Sequence, residues 1–133
     1  YFRNAEERAK VLFDGQDYEA AAAAFQDYYR KGVAYYKAGN YSEAEQMFRQ
    51  SVREEVAIDA AYNLGNSLAM QHKYKEAIAA YEEVLRQRPD HQKAKENIEL
   101  LKQMEEEEPE QDPPEEKKPE DPNSEKSDDS DEK

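Results

Sequence analysis

Two histidines and no cysteine are the soft metal ligands of this 133-residue chain. A zinc site needs several His, Cys or carboxylate ligands at converging spacings. His72 sits in a stretch that reads as a turn, His91 at the start of a helical pattern, and no His-x-x-x-His spacing exists. The acids are numerous, but no stretch has the alternating acids and central Gly of a calcium loop. Four glycines, Gly15, Gly32, Gly39 and Gly65, lie scattered, so no glycine-rich loop can cradle a phosphate. No nucleophile is suggested beside a base. The expectation is a chain without catalytic residues, metal or cofactor, one that binds and is not an enzyme.

The net charge of −13 is unevenly placed. From Glu105 to Lys133 there are 15 acids against 4 lysines, a net of −11, which leaves −2 for the other 104 residues. Phosphate backbones are bound by Lys and Arg, so nucleic acid is excluded as a partner. The Pro-rich acidic stretch from 107 to 133 has no apolar side chain to bury besides its prolines. It is expected to be disordered, as a solubilising tail or as an arm for a basic partner. No run approaches the roughly 20 apolar residues of a membrane span, and no signal-peptide pattern appears. The chain starts at Tyr1 and reads as an excised piece, so an anchor could lie upstream.

The body that must position any binding residues is helical. Ala, Glu, Lys, Gln and Leu dominate, and no strand-like alternation persists. Punctuation at Gly15, Asp27, Gly39-Asn40, 56–59, His72-Lys73 and Pro89-Asp90 predicts helices near 4–14, 18–26, 28–38, 42–54, 59–71, 75–87 and 91–106. An internal repeat runs through them. RKGVAYYKAGNYSEAEQMFRQSV aligns with NLGNSLAMQHKYKEAIAAYEEVL at an offset of 33, pairing Gly32 with Gly65, Tyr41 with Tyr74, Ala44 with Ala77 and Phe48 with Tyr81. A partial third copy, Tyr18, Ala21 and Phe25, precedes them at an offset of 23.

These residues resemble the tetratricopeptide repeat (TPR), a helix–turn–helix unit of 34 residues. Leu64, Gly65, Tyr74, Ala77, Tyr81 and Pro89 match its slots. Ala61, His72 and Val84 depart from the usual Trp, Gly and Ala. The resemblance implies an all-α array of about two and a half repeats. It divides into a shortened first hairpin (1–27), repeats at 28–57 and 58–91, a capping helix (92–106) and the tail (107–133). Gly32 and Gly65 cost about 1 kcal/mol each against Ala in a helix, and close helix approach is the expected return. Ala44 and Ala77 serve the same approach. Tyr41 and Tyr74 would fill the wedge beside the turns, and Phe48 and Tyr81 would pack between repeats. Pro89 stops a helix. Ser42 with Glu45 fits a capping box, and Asp90 fits the cap of the final helix. In the first copy, Asp27 is expected to break the helix; an unbroken helix would swing the first hairpin outward and invite domain swapping.

A narrower resemblance rests on order. FRN, GQDY, a short helix ending FQD, YRKGVAYYKAGNYSEAEQMF, AAYNLGNSLA and an acidic Pro-rich tail are similar to the C-terminal region of bacterial aerotolerance-operon (Bat-type) proteins. That family often has Asp-Pro where this chain has Asp27-Tyr28. The resemblance implies a parent with a von Willebrand factor A domain and membrane helices, in the cell envelope. It also implies partners among operon products such as a MoxR-type ATPase.

TPR ligands usually lie in the groove lined by the first helix of each pair. Carried onto this chain, the groove would show Tyr29, Val33, Tyr36 and Lys37, then Asp59, Tyr62, Asn63, Asn66 and Ala69, then Lys93 and Asn97. Tyrosines with nearby amides suit a short extended peptide or a partner's helix. Tyr29 and Tyr62 stand where a two-carboxylate clamp has Lys, and Arg30 and Lys93 do not complete one. The expected function is a protein-interaction module. The alternatives are a self-associating element, such as a domain-swapped homodimer, or a carrier for a functional tail.

Overall fold

A computed structural model describes residues 4–108. The tail beyond Glu108, expected to be disordered, lies outside the described residues. Among the described residues seven α-helices follow one another: α1 Ala5–Asp14, α2 Tyr18–Ala24, α3 Tyr28–Lys37, α4 Tyr41–Gln50, α5 Ala57–Met70, α6 Tyr74–Gln87 and α7 Gln92–Glu107. A 3-10 turn at Glu54–Val56 leads into α5. Each helix packs chiefly on its sequence neighbours, so the chain is an all-α array of stacked hairpins.

The turns inside the hairpins share one device. Gln16, Gly39 and His72 stand at equivalent places and all take positive φ, 66°, 84° and 63°. That region is free to Gly and costs other residues roughly 1–2 kcal/mol. The repeat glycines work as close-approach points. A Cβ on Gly32 would stand 2.6 Å from Phe48 Cε1, and one on Gly65 2.5 Å from Tyr81 Cε1. Both rings therefore press first on the glycine of their own hairpin rather than only between repeats. Ala44 and Ala77 are fully buried. Tyr74 is buried and its hydroxyl lies 2.7 Å from His72 Nδ1, while Tyr41 meets Tyr36 edge-on at 5.1 Å.

The core is graded. At the C-terminal end Leu68, Tyr74, Tyr81 and Val84 join Ala94, Ile98 and Leu101 of α7. At the N-terminal end the buried cluster is Ala9, Ala21, Ala22, Ala34 and one large residue, Phe25. Small side chains there bring α1, α2 and α3 close but bury less apolar surface.

The chain does break at Asp27, and four contacts hold the break. Asp27 caps α3 by accepting from the Arg30 N–H at 3.0 Å. Arg53 donates to both Asp27 oxygens at 2.7 and 2.9 Å. Glu6 Oε1 accepts from the Gln26 N–H at 2.6 Å. Lys31 Nζ donates to the Ala22 carbonyl at 2.7 Å, satisfying a carbonyl of the last turn of α2. Burial alone would raise the Asp27 carboxyl; the Arg53 and Arg30 hydrogen bonds and charges together hold it below its ordinary value.

Three expectations are corrected. The helix expected over 42–54 starts at Tyr41 and ends at Gln50; Ser51 and Arg53 are extended, which sends Arg53 back to Asp27. Ser42 and Glu45 form no capping box, because Asn40 is the cap residue and Glu45 bonds Arg49 at 3.0 Å and Gln71 at 3.0 Å. The final helix is capped by His91, whose Nδ1 accepts from the Ala94 N–H at 3.1 Å, not by Asp90.

Candidate partner-binding groove

The first helices of the hairpins, α1, α3 and α5, and then α7 carry the groove residues. Their equivalent positions are joined by a ladder of side chains. Asn63 Nδ2 donates to the Tyr29 hydroxyl at 3.2 Å, linking α5 to α3. One repeat on, Asn97 Nδ2 donates to the Tyr62 hydroxyl at 3.3 Å, linking α7 to α5. Asn66 Nδ2 donates to Asn63 Oδ1 at 3.4 Å, and the Tyr81 hydroxyl donates to Asn66 Oδ1. The spacing of one repeat follows from stacking: residues one unit apart meet across neighbouring first helices.

Each groove tyrosine rests on a second-helix ring. Tyr29 lies 5.8 Å from Phe48 and Tyr62 lies 5.6 Å from Tyr81, both tilted. The His91 ring also lies against Tyr62, 5.0 Å away and tilted. Burial raises the Tyr29 phenol above its ordinary value, and the Asp59 charge adds to it. Burial also raises the Tyr36 phenol, and raises Tyr81 further, with Tyr62 adding. These hydroxyls therefore stay protonated through the physiological range. Tyr29 and Tyr62 each accept from an amide, and a phenol hydroxyl can donate as well as accept.

Asp59 and Lys93 are exposed and stand at equivalent places, one turn before Asn63 and Asn97. The groove beside the Tyr29–Asn63 pair and beside the Tyr62–Asn97 pair thus differs in sign, acidic at Asp59 and basic at Lys93. Asn66 and Ala69 are half-buried on the same helix, α5. Tyr36 and Lys37 are not drawn into the ladder. Tyr36 meets Tyr41, and Lys37 Nζ lies 5.8 Å over the Tyr18 ring, so both lean toward the starts of second helices. Val33 lines an open cleft of about 490 Å³ between α1 and α3, with Phe13, Phe25 and Tyr29 as its other apolar walls.

Sequence reasoning missed α1 altogether as part of this face. Glu6, Glu7, Lys10 and Asp14 edge the cleft, and Glu6 Oε2 accepts from Arg30 Nη1 at 3.2 Å. The offset of 23 that relates Tyr18 to Tyr41 also relates Glu6 to Tyr29, and would have found it. Among the described residues no three His, Cys, Asp or Glu are placed to hold a metal. None of the described helices is long and apolar enough to cross a membrane.

Residues 29–92 match the family model described as Tetratricopeptide repeat. No curated protein matches the chain. Among solved structures the chain is similar to the second TPR domain of the human RPAP3 protein, determined in complex with the HSP70 peptide SGPTIEEVD. The two are 23% identical with a TM-score of 0.64, over 74% of this chain and 92% of that one. At this identity the likeness concerns the fold. The family match spans residues 29–92, just under half of the chain, and α1, α2 and α7 continue the same helical stack on either side of it.

Proposed function

We propose that this chain is a non-catalytic interaction module that binds an extended peptide or a partner's helix along the face of α1, α3, α5 and α7. The observation that carries it is the tyrosine–amide ladder. Tyr29–Asn63 and Tyr62–Asn97 present two phenol donors at repeat spacing, flanked by exposed Asp59 and Lys93. A peptide offers acceptors at regular spacing, and half-buried rings add contact area at low entropy cost. The peptide held by the RPAP3 domain supports the same class of ligand.

The order of the sequence blocks supports a Bat-type context. The chain would then be the water-facing part of a bacterial envelope protein whose membrane anchor and von Willebrand factor A domain lie elsewhere. It would face either the periplasm or the cytoplasm, with a MoxR-type ATPase among its partners. A second copy of the chain is a weaker partner, since the capped break at Asp27 folds the first hairpin onto its own array.

The test is capture from a bacterial envelope extract with the wild type and with an Asp59→Lys, Lys93→Glu double variant. Both residues are exposed, so the fold is retained. Loss of a specific protein from the variant's eluate is expected. Identical captured sets, or none, would refute the groove as the site.

A further inference from the structure

Most charges on the face of α1, α3 and α5 are already engaged. Arg30 pairs with Glu6 at 3.2 Å and Lys10 with Asp14 at 3.3 Å. Lys31 Nζ donates to the Ala22 carbonyl, and Lys37 Nζ lies over the Tyr18 ring. All three bases of α3 therefore have partners within the fold. Asp59 and Lys93 differ. Asp59 is the only charge that α5 carries. Both residues are exposed, and among the described residues neither forms an ion pair. Each lies in the first turn of its helix, one turn before a ladder asparagine. An acid suits the positive end of a helix dipole and a base does not. Helix stability accounts for Asp59, then, but not for the change of sign at Lys93.

A third feature marks one end of the row. The open cleft of about 490 Å³ between α1 and α3 has Phe13, Phe25, Tyr29 and Val33 as apolar walls. Phe13 meets Phe25 edge-on at 6.2 Å, so the cleft is an apolar recess beside a ring cluster that is already complete. Burial, and then the Asp59 charge, raise the Tyr29 phenol, so Asp59 lies within electrostatic reach of the cleft's wall. Along the face from α1 to α7 the order is therefore apolar recess, unpaired acid, unpaired base.

We propose that the partner segment carries the complementary order: a large apolar side chain for the cleft, then a base opposite Asp59, then an acid opposite Lys93. This deepens the groove reading given above and rests on it. Packed helices lie about 8–10 Å apart, and an extended chain advances about 3.3 Å per residue. The base and the acid are thus about three residues apart, and the apolar residue stands about four residues beyond the base. The apolar anchor is what makes the order readable. Two opposite charges alone would fit a peptide in either direction, whereas an anchored peptide cannot exchange its charges by turning round. Each exposed pair contributes modestly, so the selectivity comes from replacing attraction by repulsion at both places at once.

The test uses the whole 133-residue chain and four synthetic peptides with blocked ends. One has Phe, Lys four residues on and Glu three residues after that, in a framework of Ser and Gly. A second exchanges the Lys and the Glu. The other two are the same sequences reversed, because the charges fix the order along the groove and not the direction of the backbone. NMR titration would follow the Val33 methyls and the side-chain amides of Asn63 and Asn97. In the better backbone direction the matched peptide should bind about tenfold tighter than its exchanged counterpart. High salt should shrink that ratio. An Asp59→Lys, Lys93→Glu chain, with its helical signal unchanged, should prefer the exchanged peptide instead. Replacing the peptide's Phe by Ala should abolish the Val33 shift. Equal affinities, or the same preference in both chains, would overturn the inference and leave the groove reading standing, since the shifts would still place the peptides there. Absence of any shift at Val33, Asn63 and Asn97 would remove both. Shifts of these signals on dilution without peptide would give the face to a second copy and likewise overturn the inference.

Discussion

Replacing Gly65 by Ala should destabilise the native chain and yet stabilise a chain that lacks Tyr81. In an exposed helix interior the change gains about 1 kcal/mol through helix propensity. Here the new Cβ would stand 2.5, 2.7 and 2.8 Å from Tyr81 Cε1, Cδ1 and Cζ. Carbon atoms rest at about 3.5–4.0 Å, so the overlap spans one edge of the ring. The ring cannot step aside. It is 2% exposed, its hydroxyl is tied to Asn66, and the Tyr62 ring lies 5.6 Å away. The strain must then separate α5 from α6, at about 2–3 kcal/mol, the upper part of the usual range for overpacking. The net loss is about 1–2 kcal/mol. In a Tyr81→Ala background the overlap vanishes and Gly65→Ala regains its gain of about 1 kcal/mol. A double-mutant cycle should therefore give a coupling of about 2–3 kcal/mol. Urea unfolding followed by far-UV circular dichroism would measure all four chains. A stabilising Gly65→Ala with Tyr81 present, or a coupling near zero, would refute the close-approach account.

Asp27→Ala removes a helix cap and the partner of Arg53, and should cost about 1–2 kcal/mol in the same unfolding assay. The Asp27 carboxyl is held below its ordinary value of 3.8. Its contribution is therefore complete above that value and fades as pH falls through the lower folded value. An Asp27→Asn chain should lose less stability on acidification than the wild type, as acid titration would show. Gln16→Gly relieves a positive φ of 66°. After the extra chain entropy of glycine it should stabilise by about 0.5–1 kcal/mol in thermal unfolding. Hydrogen exchange should be slowest in α5–α7, where Tyr74, Tyr81, Leu68 and Ile98 are buried. It should be fastest in α1 and α2, whose core is largely alanine.

The helices, their order and the repeat were legible because they are local. A helical period, a glycine every repeat and an aromatic at a fixed offset all lie within one hairpin's length of sequence. Asp27 was legible as a cap for the same reason, since Arg30 is three residues away. The capping box at Ser42 was misread because Glu45 had better partners than a backbone N–H. Arg49 lies on its own helix, but Gln71 and Lys73 come from the next hairpin. Burial alone would raise Glu45, yet hydrogen bonds from Gln71 and Arg49 and the Lys73 charge lower it, a balance that no local window contains.

The sequence by itself determined an all-α repeat array, the places where its helices touch at Gly32 and Gly65, and the tyrosines that its first helices carry. Tertiary structure decided what those tyrosines do. Tyr29 meets Asn63 at a separation of 34 residues and Tyr62 meets Asn97 at 35. Arg53 reaches Asp27 at 26, and Glu6 reaches Arg30 at 24. Such contacts exist only once hairpins have stacked, because each depends on the angle and height at which one hairpin sits on the next. Periodicity records which face a residue lies on; the stacking of one repeat on another chooses its partner.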